Sequence, residues 1–97
     1  MKKMLVAATA VIAVPGLGPG VAHASADTYL QRVQEEIPYV LSEYGSTALL
    51  NEGYKVCSYE AQGMSRAEAA GHVEVDLPMS FFAADWVAIL AENELGC

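Results

Sequence analysis

The chain has 97 residues, with five basic and twelve acidic side chains, a formal net charge of −7, two cysteines and two histidines. So acidic a balance opposes binding to nucleic-acid phosphates or to anionic membrane surfaces, both of which reward clustered lysine and arginine. The length allows one small domain, and cysteines at 57 and 97 are too far apart for a C-x-x-C redox pair.

The N-terminal 26 residues read as an address. Lys2 and Lys3 precede an apolar run, residues 4–14 (MLVAATAVIAV), and Pro15, Gly16, Gly18, Pro19 and Gly20 break it before VAHASA. That order of parts is a secretory signal peptide. Cleavage can fall after Ala24 or after Ala26; the second is preferred because Asp27 then follows the cut. The apolar run falls short of the ~20 residues needed to span a bilayer, so removal and no stable membrane insertion are expected. The remaining domain, residues 27–97, carries Arg32, Lys55 and Arg66 against all twelve acids, a formal charge of −9.

A domain this small builds a core that rarely supplies more than about 3–5 kcal/mol, so a covalent staple is expected. Export leads to an oxidising compartment, where the two cysteines most simply pair as Cys57–Cys97. Intermolecular pairing or free thiols are the alternatives. Closing a loop of about 41 residues should contribute roughly 4 kcal/mol in the chain-entropy account.

In chain order, Asp27 or Ser25 is placed to cap a first helix carrying Tyr29, Leu30, Val33 and Ile37 at three- and four-residue spacing. Pro38, lacking an N–H, should end it near Glu36. Residues 39–45 (YVLSEYG) form a connector with room for one helical turn. A second helix follows over residues 46–63. Leu50, Tyr54, Cys57 and Ala61 lie along its apolar side, flanked by Leu49, Gly53 and Val56, while Asn51, Lys55, Ser58 and Gln62 face water. Gly53 inside it costs about 1 kcal/mol relative to alanine, which suggests another backbone approaching closely. Gly63 supplies the stop.

Ser65-Arg66-Ala67-Glu68 is a capping box that starts a third helix at Arg66, with Ala70, Val73 and Leu77 inward. Residues 72–77 (HVEVDL) alternate like a strand, but no second strand is present to pair with them, so helix is expected. After Pro78, Ser80 caps a fourth helix in which Phe82, Trp86, Ile89 and Leu90 face inward, with Phe81 and Trp86 supplying much of the core. Gly96 ends it and turns Cys97 back toward Cys57. The expected fold is a small all-α bundle of about four short helices closed by one disulfide.

These segments, D-x-Y-L, EEIPY, NEGYKVC, QGMSRAEAA and a terminal cysteine, together resemble the small exported mycobacterial proteins of domain of unknown function family 732. The features correspond here to Ile37-Pro38-Tyr39, Cys57, Gly63-Met64-Ser65 and Cys97, and they cover essentially all of residues 27–97. The resemblance implies a helical, disulfide-closed secreted domain. It implies no activity that can be carried onto particular residues.

Candidate chemistry is sparse. Glu68, His72 and Asp76 share a helix face and could offer an imidazole and two carboxylates to a metal or a proton, but one helix seldom presents a full ligand set, and a solvated stripe is expected. Gly63-Met64-Ser65 reads as helix stop and cap, and no G-x-S-x-G nucleophile turn occurs. Tyr39, Tyr44 and Tyr59 are candidates for a partner surface. The expected function is a non-enzymatic interaction protein, secreted or in the cell envelope, with an unknown protein or envelope partner and no cofactor. The alternative is a carrier of a small apolar ligand, haem or metal, held by a tyrosine, His72 or Met64.

Overall fold

The computed structural model describes residues 21–97. Among them it contains five helices and no strand: α1 (Val21–Glu36), α2 (Pro38–Tyr44), α3 (Ser46–Ala61), α4 (Arg66–Asp76) and α5 (Phe81–Glu94). The all-α class stands, with one helix more than the four expected. Pro38 is the reason. It ends α1 and at once occupies the first turn of α2, where its missing N–H would find no helical partner anyway and its fixed φ suits the entry. The connector thus becomes a helix, pinned by buried Ile37 and Val40. A second boundary also differs. α1 is already helical at Val21, the first described residue, and runs through the expected caps Ser25 and Asp27 and both expected cleavage positions. Residues 1–20 of the expected signal peptide lie outside the described residues.

The remaining helix ends follow the residues that mark them. Gly63, at φ +100°, closes α3 with a pair of backbone bonds, Gly63 N to Glu60 O at 3.0 Å and Met64 N to Tyr59 O at 3.1 Å. These satisfy two carbonyls that the helix terminus leaves free. At the start of α4, Glu68 N donates to Ser65 Oγ at 3.2 Å and Ser65 N to Glu68 Oε1 at 2.9 Å, a complete capping box. Ser80 Oγ accepts from Ala83 N at 3.1 Å to open α5. The alternating stretch 72–77 is helical through Asp76, with Ala70 and Val73 buried and Leu77 against the core.

α5 is the central element and packs against α1, α3 and α4. Its buried face is Ala83, Ala84, Val87, Ala88, Leu90 and Ala91, mostly small side chains that let neighbouring helices approach closely. The expected inner face is therefore reversed. Of its four residues only Leu90 is buried. Phe82 is 67% exposed, Phe81 is 46% exposed, and Trp86 and Ile89 are half-buried. α5 is apolar almost all round, so periodicity could not choose a face, and packing chose the side of the alanines.

α3 is rotated from expectation by a smaller amount. Its buried stripe is Leu49, Glu52, Gly53 and Val56, while Tyr54 is 49% exposed and Ala61 faces out. The expected water-facing set of Asn51, Lys55, Ser58 and Gln62 is exposed. Gly53 is approached by side chains and not by backbone. A Cβ there would lie 2.9 Å from Tyr29 Cζ and 2.7 Å from Leu95 Cδ1. The Tyr29 ring is fully buried, and its hydroxyl donates to the Leu49 carbonyl at 2.5 Å. One turn beyond Gly53, Cys57 bonds to Cys97, closing a sequence separation of 40 residues.

Two measurements check this frame. Gly53→Ala gains about 1 kcal/mol of helix propensity, yet it should lower the urea-unfolding free energy by about 1–2 kcal/mol, because the tyrosine ring cannot yield without losing its hydrogen bond. A more stable variant would show that Tyr29 and Leu95 shift freely. Reduction, or Cys97→Ser, should cost roughly 4 kcal/mol, and a loss below about 1 kcal/mol would deny the disulfide its structural weight.

Candidate functional site

The outer side of α3 faces the end of α4 across an open groove of ≈ 640 Å³, lined by Asn51, Glu52, Tyr54, Lys55, Ser58 and Asp76, with Ala48 and Leu77 at its apolar edge. Helical spacing assembles it. Glu52 and Lys55 stand three residues apart on α3, and Asp76 comes from the last turn of α4. Lys55 Nζ lies 3.1 Å from Asp76 Oδ2 and 3.5 Å from Glu52 Oε2, so one ammonium serves two carboxylates. Glu52 is only 4% exposed, and its Oε1 is shielded from water without a hydrogen-bond partner. Burial, and then the neighbouring Asp76, push the Glu52 carboxyl above the usual carboxylate range, against the smaller opposing pull of Lys55. Burial pushes the Tyr29 phenol up as well, with Glu52 adding to it.

A second acid pair joins α3 to α5. Glu60 and Glu92 approach within hydrogen-bonding reach, and Arg66 at the start of α4 touches Glu92 at 3.9 Å. Glu60 Oε2 is shielded from water and meets no N–H or hydroxyl donor. Below its raised pKa the protonated Glu60 carboxyl can itself donate to Glu92. Burial first, then the hydrogen bond and charge of Glu92, raise the Glu60 pKa from 4.5 to about 7, partly offset by Arg66. Both clusters thus hold two carboxyls to one base, at seams between helices.

The residues singled out from sequence are dispersed. His72 stacks on Tyr59, with ring centroids 4.5 Å apart and planes at 28°. Glu68 is engaged in the capping box and Asp76 by Lys55, so the Glu68–His72–Asp76 stripe does not converge on a point. Among the described residues, no group of three or more His, Cys, Asp or Glu is arranged to hold a metal ion. Cys57 and Cys97 are joined. Of the three candidate interface tyrosines, Tyr39 is open at 56%, Tyr44 is half-buried with its hydroxyl donating to the Pro78 carbonyl, and Tyr59 lies against His72.

Sequence reasoning passed over Glu52, Glu60 and the outer face of α5. The signal for Glu52 was present: Leu49, Glu52, Gly53 and Val56 follow the i, i+3, i+4, i+7 pattern of a buried stripe, with a carboxylate inside it. Comparison of the chain with protein-family models, with curated proteins and with solved structures found no match.

The carboxyl pairs fix how stability responds to pH. Glu52 and Glu60 bind protons more tightly in the folded state than at their ordinary value of 4.5. Their stabilisation is fully present below that value and is lost as pH rises through the folded pKa, which for Glu60 is about 7. The melting temperature should therefore fall between pH 5 and pH 8. Glu60→Gln, which mimics the protonated carboxyl, should raise the melting temperature at pH 8 and leave it nearly unchanged at pH 5. A variant less stable than the parent at pH 8 would contradict the hydrogen bond between the two carboxyls.

Proposed function

We propose that this is an exported interaction protein, which works by docking a partner on its surface outside the cytoplasm and carries out no catalysis. The observation that carries the proposal is the exposure of Phe81 and Phe82 on α5. A small domain gains stability from every aromatic ring it buries, so large rings left in water on a disulfide-closed frame are suited to a partner. Export is supported by the order of basic, apolar and small residues before Asp27. The disulfide fits an oxidising compartment, and the resemblance to domain of unknown function family 732 points the same way. Among the described residues, no helix is long and apolar enough to cross a membrane.

Native mass spectrometry of protein recovered from the medium of expressing cells tests both halves. The expected species is the oxidised chain beginning at Asp27 or Ser25, with no retained mass. A retained haem, metal or lipid would replace docking by carriage. Full-length chain with free thiols, found only inside the cells, would remove export.

A further inference from the structure

The outer face of α5 is an apolar ridge. Phe82, Trp86 and Ile89 recur at i, i+4 and i+7, opposite the buried alanines of the same helix. Phe82 is two-thirds exposed, Ile89 is half-buried, and Trp86 is fixed by packing against the core edge. Phe81 extends the ridge at its N-terminal end. A helix with apolar residues on every side is ordinarily enclosed on every side. Here α1, α3 and α4 enclose the alanine side, and among the described residues nothing covers Phe82.

The charge around the ridge states what can cover it. Asp85 lies at its border, three residues from Phe82 and one from Trp86, and has no ion-pair partner among the described residues. Among the described residues no ion pair engages Glu74 either, on α4, the helix that packs beside α5. The described residues hold no free lysine or arginine to neutralise them. After Lys2 and Lys3 the sequence has three cations, and all are engaged: Arg32 with Glu35, Glu36 and Glu94, Lys55 with Glu52 and Asp76, and Arg66 with Glu92. A second copy would bring a like-charged domain and another Asp85 to the same face, which electrostatics opposes. An anionic lipid surface is opposed for the same reason.

We propose that the Phe82–Trp86–Ile89 ridge of α5 docks an amphipathic helix of a partner protein whose apolar residues follow the same spacing and whose flanks carry lysine or arginine. This rests on the interaction role given above and adds the face and the chemistry of the partner. The ridge supplies apolar anchors at helix spacing, with Trp86 as the immobilised centre. Asp85 supplies the charge that selects a basic flank.

Three synthetic peptides of about 18 residues, the length of five helical turns, separate the contributions. One is an amphipathic leucine/lysine helix, the second has the same pattern with glutamate for lysine, and the third is oligolysine. Titrated into isotopically labelled, oxidised domain, the leucine/lysine peptide should shift the amide resonances of residues 81–93. The Phe82→Ser/Ile89→Ser variant should weaken its binding by at least about tenfold, the size of one interface anchor. Asp85→Asn should weaken it less and flatten its salt dependence. Phe82→Ser alone, at a position already open to water, keeps the test valid if the double variant does not fold.

Equal binding of the leucine/glutamate peptide, oligolysine binding as tight as leucine/lysine, unchanged affinity of the serine variants, or shifts elsewhere on the domain would each overturn the assignment. So would a concentration-dependent dimer abolished by Phe82→Ser, or binding to zwitterionic vesicles with none to the peptides. Ligand-free protein from the medium that ignores the leucine/lysine peptide would sink this partner class and leave the interaction role standing. A retained ligand would sink the role itself.

Discussion

The packing of Tyr29 and Leu95 into the notch at Gly53 is the contact on which the bundle depends. A side chain at position 53 would occupy the space of the tyrosine ring. Because it is glycine, the ring sinks against α3 and its hydroxyl reaches the Leu49 carbonyl. The same notch receives Leu95 from the end of α5, and one turn further along α3 the last residue is bonded to Cys57. The first helix and the C-terminus therefore meet along a single side of α3. The noncovalent contact sets the register, and the covalent one removes much of the entropy the unfolded chain would otherwise gain.

That arrangement decides what α5 can bury. With its end held against α3 and its length lying across α1 and α4, the helix is too close to its neighbours for large rings on the inside, and alanines fill the seam. The aromatic residues are left on the other side. Charge is distributed in a related way. The three cations of the folded domain are spent at helix seams on carboxylates that would otherwise repel one another, which leaves Glu74 on α4 and Asp85 on α5 without an ion pair among the described residues. An apolar ridge with an acidic border follows from those two constraints together.

Much of the frame was legible in the residues, because local signals carried it. Ser65 with Glu68, Ser80, Gly63 and the cysteine pair each act within a few residues or through covalent chemistry, and each stands where expected. Pro38 carried two meanings, stop and start, and the sequence alone favoured the first. The candidate site was far less legible. In α5 nearly every position is apolar, so the direction of burial depended on how closely three other helices approach, which no single-helix pattern contains. In α3 the expected stripe was displaced by one residue because Glu52 was passed over, and the Asp76 carboxylate that shares Lys55 with it comes from α4. Glu60 and Glu92 are 32 positions apart in the chain, and only the fold brings their carboxyls together.

Amide hydrogen exchange of oxidised and reduced protein tests the clasp on α3 most directly. If Tyr29, Gly53 and the Cys57–Cys97 bond act as one unit, reduction should speed exchange of the slowest amides of α3 and α1 by at least about a hundredfold, as expected when a link worth several kcal/mol is removed from the whole fold. Faster exchange confined to residues 95–97, with α3 and α1 as protected as before, would contradict the central place given to that clasp.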